Sequence, residues 1–322
     1  MTNNKINTCS VGVMAFNEAV NIELLILDLL RQKMSKFSII EITIVASGCT
    51  DSTQNIIARM RKEHANIILL AQEQRQGKAS AINLFLSQAI GDFIVLTGAD
   101  IRMNGDTLER ILVPLLKGDV GMTGGRPVPV NRTDTFMGYG AHFLWQLHHQ
   151  LSLNKPKLGE LVAFRNLVKE IPGETAVDEA YLEAFFSKRS LTLEYIPNAL
   201  VYNKGPETIK DFLLQRERIF IGHLWVKKNY CYSVASLDSW LIAKLAIKNI
   251  SFKPRHFVWA VELMFLEILA RLKGILKFLI FKENPYIWDR IITTKSLVPM
   301  TMDDQKRSSA WLSIKPPADF IV

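Results

Sequence analysis

Four short apolar runs, each separated from the next by a helix-period segment, fill the stretch from Cys9 to Thr97. Cys9 to Ala15, Ile39 to Ala46, Ile67 to Leu70 and Phe93 to Thr97 read as strands. The segment from Ala19 to Lys33 carries Ile22, Leu25, Ile26, Leu29 and Leu30 at helical spacing. A second helix is expected from the Thr50-Asp51 turn to Arg61, and a third from Gly77-Lys78 to Ala89. Antiparallel neighbours need only a tight turn, whereas parallel strands need a crossover of this length. The alternation therefore predicts an α/β fold, Rossmann-like, with a mostly parallel sheet flanked by helices on both faces.

After Met103 the regular alternation stops. Val120 to Gly125 reads as a strand ended by Arg126-Pro127, and Thr135 to Leu153 as an amphipathic helix. Gly159 to Phe164 reads as a short strand or loop. Asp178 to Lys188 reads as a helix, Leu191 to Tyr195 and Leu200 to Asn203 as two strands, and Glu207 to Lys228 as a longer helix. Beyond it, Leu237 to Asn249 and Phe257 to Phe281 are rich in Leu, Ile, Phe and Trp. The second run also carries Glu262, Glu267, Arg271, Lys273 and Lys277, too many charges for a comfortable bilayer span. Its end, Arg271 to Lys282, mixes Lys with apolar residues as an interfacial helix does, and packing on the main domain is the alternative. The division expected is a main domain over residues 1–230 and a helical, membrane-associating appendage over residues 231–322.

An apolar fraction of 48% in 322 residues supports a sizeable core, and a formal net charge of +8 suits an anionic partner such as nucleotide phosphate or an acidic membrane surface. The basic residues are scattered and no nucleic-acid module is present, so no nucleic-acid partner is expected. Cys9, Cys49 and Cys231 are few and far apart, which fits a reducing compartment better than a disulfide framework. The polar segment from Met1 to Thr8 lacks the apolar core of a signal peptide. A cytoplasmic protein, peripheral on the inner face of the cell membrane, is the expectation. A dinucleotide dehydrogenase is disfavoured because no Gly-x-Gly-x-x-Gly follows the first strand.

Two acidic stations carry the candidate chemistry. Asp100 closes Leu96-Thr97-Gly98-Ala99-Asp100 at the C-terminal end of a buried strand, where open α/β sheets bind ligands. Small residues there let a phosphate or sugar approach the backbone, and the carboxylate suits a hard cation such as Mg²⁺ or Mn²⁺. A merely structural Asp100 would cap the turn into the next helix. Asp178-Glu179 open a helix, where acids are common for dipole reasons alone, yet either could act as a base. Lys78 at a helix start and Arg218, on one helical face with Gln215, could meet a diphosphate, although such residues are more often solvated. The spacing of His142, His148 and His149 does not make a metal site.

In this order the pieces resemble the family 2 glycosyltransferases of the A-type, nucleotide-diphospho-sugar transferase fold, over residues 9–225. Val11 to Glu18 is similar to the opening strand and Asn-Glu turn, and Ile44 to Asp51 to the second strand and Asp-Gly-Ser-Thr-Asp turn. Gly77-Lys78 matches the Gly-Lys of the next segment. Thr97 to Asp100 takes the place of the Asp-x-Asp motif, and Asp178-Glu179 that of the Glu-Asp base motif. Gln215 to Ile219 resembles Gln-x-x-Arg-Trp with Ile219 for Trp.

The resemblance implies inverting transfer from a nucleoside diphosphate sugar to a lipid-linked or polysaccharide acceptor. It places Asp100 on the metal, Asp178 or Glu179 as base, and Lys78 and Arg218 against the leaving diphosphate. Ala15, Asn17, Glu18, Ser47, Asp51, Gly98, Ala99 and Gln215 would line the substrates. Two positions depart from the pattern: Ser47 stands where an aspartate usually meets the donor base, and Gly98 replaces the first Asp of the metal motif. A polyprenyl-phosphate sugar transferase and a non-catalytic binding protein on the same fold are the alternatives.

Overall fold

The computed structural model describes residues 6–282, 284–287 and 291–295. Its centre is an eight-stranded sheet in the order β3-β2-β1-β4-β7-β6-β8-β5. The strands are β1 (Asn7–Ala15), β2 (Phe37–Ser47), β3 (Ile67–Gln72), β4 (Phe93–Gly98), β5 (Arg102–Met103), β6 (Val120–Pro129), β7 (Leu161–Arg165) and β8 (Thr192–Asn203). β3, β2, β1 and β4 run parallel, β7 is antiparallel to both β4 and β6, and β6 and β8 are parallel. The expected mixed, mostly parallel architecture is what the chain forms.

Period-2 alternation explains how both faces are covered. Val11, Val13, Ile42, Ile44 and Val95 join one buried cluster, beneath α1 (Ile22–Leu30), α2 (Thr53–Glu63) and α4 (Thr107–Leu112). Met14, Val45, Ile94 and Leu96 point the other way, into a cluster with α3 (Lys78–Leu86) and α6 (Asp178–Ser187). Gly12 is required by close approach: a Cβ there would stand 2.5 Å from the Phe85 ring of α3.

Several elements differ from the sequence expectation. Arg126-Pro127 do not end β6, which runs on to Pro129 because the strand absorbs them with a register shift against β8 between Gly125 and Arg126. The first helix begins at Ile22 and not at Ala19, because residues 17–19 are drawn into a turn by the β2–α2 loop. Asn17 adopts φ 54° and its Oδ1 accepts from Thr50 N at 2.7 Å, while Asp51 Oδ2 accepts from Ala19 N at 3.2 Å. The two short strands expected after α6 are one strand, β8. The register against β6 jumps from Ile196 to Leu200, so exposed Pro197 and Asn198 bulge outward without ending it.

The remaining helices are α5 (Phe136–Asn154), α7 (Ile209–Tyr230), α8 (Ser239–Asn249) and α9 (Pro254–Leu276). One face of α9 packs on α5 and α7 through Leu263 and Ala260 beside Tyr139, Phe143 and Phe212. Its other face leaves Val258, Val261, Phe265, Ile268 and Leu272 exposed. Among the described residues no helix is long and apolar enough to cross a membrane.

Candidate active site

The strand order reverses direction at β1, which has β2 on one side and β4 on the other. Ligand crevices in open α/β sheets form at the carboxyl ends of strands at such a point. Met14 pairs with Gly98 across it, so the turns after β1 and β4 open into one crevice. A cavity of about 670 Å³ lies there. Ala15, Glu18, Ser47, Gly98 and Asp100 form its sheet side, Lys78 and Glu179 come from α3 and α6, and Gln215 and Arg218 from α7.

Four expected site residues lie behind that surface. Asn17 and Asp51 hold the two turns together as described, Asp51 Oδ1 also accepting from Thr53 N at 3.0 Å. Ala99 is buried in the core, its N–H donating to Met14 O at 3.1 Å. Asp178 is buried beneath Glu179, with side-chain exposures of 3% and 20%.

At the β4 turn, Asp100 and Glu18 converge on a single cation. Lys295 Nζ lies 2.8 Å from Asp100 Oδ2 and also pairs with Glu18 Oε1. Gly98 makes room for this arrangement, since a Cβ there would stand 2.7 Å from Asp100 Oδ1. Burial pushes the Glu18 carboxyl up to about 7, with repulsion from Asp100 adding to it and Lys295 only partly offsetting it. Burial would raise Asp100 too, but the Lys295 ammonium outweighs it and holds this carboxyl below its ordinary value.

Across the cavity, Lys78 binds both acids of the second station. Its Nζ is 3.0 Å from Asp178 Oδ1 and 2.9 Å from Glu179 Oε1. Gly77, at φ 91°, turns the chain so that α3 starts with this lysine aimed at α6. Burial and the neighbouring Glu179 raise Asp178 to about 6. For Glu179 the burial cost is outweighed by Lys78, so its carboxyl is lowered. Of the two acids, Glu179 is the one that reaches the cavity.

Further side chains there carried no sequence signal as site residues. Glu160, held at φ 59° beside Gly159, lines the cavity and is raised to about 7 by burial and by Asp100 and Glu179. Arg216, next to the expected Gln215 and Arg218, turns away from the sheet to a bidentate pair with Glu267 of α9 at 2.7 and 2.9 Å. The apolar inner wall comes from α5, α8 and α9, including Leu147, Ala246 and Met264. His142 and His148 are packed residues, 5% and 9% exposed. Among the described residues no group of three His, Cys, Asp or Glu side chains is arranged to hold a metal by itself.

Glycosyltransferase AglE of Haloferax volcanii is 27% identical over 116 residues, which is 36% of this chain and only 38% of that protein. The mannosyltransferase PcManGT of Pyrobaculum calidifontis, solved with GDP-Man and Mn²⁺, superposes with a TM-score of 0.61 at 19% identity, over 85% of this chain and 88% of that one. Glucosyl-3-phosphoglycerate synthase of Mycobacterium tuberculosis, solved with Mn²⁺, UDP and phosphoglyceric acid, gives a TM-score of 0.50 at 18% identity, over 68% and 78% of the two chains. These structures share the fold. The sequence model of glycosyl transferase family 2 matches residues 10–184, more than half of the chain, and the protein belongs to that family of glycosyltransferases.

Proposed function

We propose that the protein transfers a sugar, with inversion, from a nucleoside diphosphate sugar to an acceptor hydroxyl presented at a membrane surface. The observation that carries this reading is the pairing of two stations across one cavity: Asp100 with Glu18 on the sheet edge, and Glu179 with Lys78 opposite. The first suits the donor diphosphate and the second the acceptor proton.

The fit of a divalent cation follows from the donor set. Asp100 and Glu18 offer hard carboxylate oxygens converging on one positive charge, and Mg²⁺ or Mn²⁺ is commonly held by one or two carboxylates with substrate phosphates completing the shell. Once bound there, the metal would neutralise charge on the leaving diphosphate. Both structural neighbours described above carry Mn²⁺.

Glu179 takes the proton from the acceptor hydroxyl as its oxygen bonds to the anomeric carbon. The carbon–oxygen bond to the diphosphate breaks, and the electron pair leaves with the phosphate oxygen. Lys78 keeps Glu179 ionised and aimed, and Asp178 completes the neutralisation of Lys78 from behind. Arg218, on the α7 wall, adds positive charge for the diphosphate.

The membrane reading rests on exposed apolar side chains carried by α8, α9 and the residues that join and follow them. Trp240, Phe252, Phe265, Leu272 and Leu279 are 81%, 91%, 64%, 55% and 67% exposed. Lys244, Lys248, Lys253 and Lys273 lie within the same segment, as in an interfacial helix. Such a peripheral site suits a lipid-linked acceptor or a growing glycan, and the inner face of the cell membrane is the proposed location.

The base assignment provides the test. Glu179→Gln is expected to lower kcat by about 10²–10⁴-fold while nucleotide binding persists, and Asp178→Asn to lower it much less. Equal, mild effects from both changes would remove the base role.

A further inference from the structure

The cation between Asp100 and Glu18 comes from the C-terminal segment, far from every motif of the family. Two described pieces of that segment pack on the main body, and the second lines the cavity through Ile291, Thr294 and Lys295. Asn284 Nδ2 donates to Glu174 O at 2.7 Å, and Tyr286 and Ile287 lie against Gly77 at the start of α3. Thr293 Oγ1 donates to Asp211 Oδ2 at 2.7 Å and accepts from Glu207 N at 3.3 Å, tying the second piece to the start of α7. Asn21 Nδ2 donates to the backbone oxygen of Lys295, and Ile291 and Thr294 are buried in the cavity wall. The backbone around Lys295 is thus held on two sides, while its ammonium sits on a flexible four-carbon stem.

Charge decides what happens at this position when substrate enters. Glu18 is buried and Asp100 faces it, and the Lys295 ammonium supplies the positive charge between them. An ammonium and a divalent cation cannot share the position, because like charges a few ångströms apart in a partly buried site repel strongly. A nucleoside diphosphate arriving with its cation brings a new set of anionic oxygens to the same place. A lysine released there and anchored by its backbone meets those oxygens first.

Resting on the donor reading above, we propose that Lys295 is a donor-binding residue that changes partners: it neutralises Asp100 and Glu18 in the empty site, and pairs with the diphosphate once a divalent cation takes its place. The Lys295 side chain then joins the donor through a direct ion pair, with its backbone staying on Asn21. The chain would compensate in this way for Gly98, which removes one acid of the usual metal motif.

The test reads two affinities on the full chain by calorimetry: Mn²⁺ alone, and UDP or GDP at saturating Mn²⁺. Lys295→Met is expected to bind Mn²⁺ about tenfold more tightly, because a competitor is gone, and the nucleotide about tenfold more weakly, because a charge-assisted contact is lost. Lys295→Arg should keep nucleotide affinity within about threefold of the wild type. Tightening of both ligands in Lys295→Met would make the lysine a plug and overturn the proposal, as would two unchanged affinities. A well-folded wild type that binds neither nucleotide with Mn²⁺ overturns the proposed function and this inference together, whereas a binding wild type with an unaltered Lys295→Met overturns this inference alone.

Discussion

Glu267→Gln tests how α9 is fixed to α7. Glu267 on α9 accepts two hydrogen bonds from Arg216 of α7, at 2.7 and 2.9 Å, and one from Arg271 at 2.9 Å. All three side chains are at most 24% exposed. Burial would raise the Glu267 carboxyl, but Arg216 and then Arg271 outweigh it, lowering it from the ordinary 4.5 to about 2. At about 1.36 kcal/mol per pKa unit, that displacement corresponds to about 3 kcal/mol of stability at pH 7. Glutamine keeps the shape and leaves two guanidiniums without their counter-charge, a loss within the range of about 3–5 kcal/mol for a broken buried pair. Because the folded pKa is depressed, this stability is present above pH 4.5 and is lost as pH falls toward 2. The difference between wild type and variant should therefore shrink to roughly 2–3 kcal/mol at pH 4 and about 1 kcal/mol at pH 3. Denaturant titrations of both proteins at the three pH values measure it. A difference under about 1 kcal/mol at pH 7, or one that stays constant down to pH 3, would refute the reasoning.

Other outcomes follow from the same geometry. Lys78→Met removes the charge that lowers Glu179, so the acid limb of kcat/KM should move to higher pH, and an unmoved limb would separate Lys78 from the base. Phe265→Ser combined with Leu272→Ser should weaken binding to anionic phospholipid vesicles by about tenfold or more, since each exposed side chain contributes about 1.5–3 kcal/mol when fully buried. Unchanged co-sedimentation with vesicles would remove that face from membrane contact.

Much of this was legible in the residues, for physical reasons. The strands β1 to β4 are continuous apolar runs because helices cover both faces, and a run of that kind announces itself without long-range information. The two acidic stations were legible because they sit at element ends, Asp100 after a strand and Asp178-Glu179 at a helix start. What pairs across the cavity was not. Lys78 reads locally as a phosphate ligand, yet the fold aims it at α6, where two buried carboxylates hold it more strongly than solvent could. Glu160 follows Gly159 in a segment with no acid–base pattern, and only its φ of 59° beside β7 brings it to Asp100 and Glu179. Lys295 lies 195 residues from Asp100, with no motif around it to mark the contact. The charges in the second apolar run argued against a spanning helix, and three of them, Glu267, Arg271 and Lys277, answer partners in the packed structure. Apolar packing and an exposed apolar face proved to be two sides of one helix, since α9 is amphipathic about its own axis.

The most direct measurement is binding and hydrolysis of a panel of nucleotide sugars by the purified protein, with and without Mn²⁺, alongside Asp100→Asn. One donor bound and slowly hydrolysed only with the metal, and lost in Asp100→Asn, is the expected result. A folded protein that binds no donor under either condition, or turns one over equally well without metal and without Asp100, would contradict the metal-assisted transfer placed at this site.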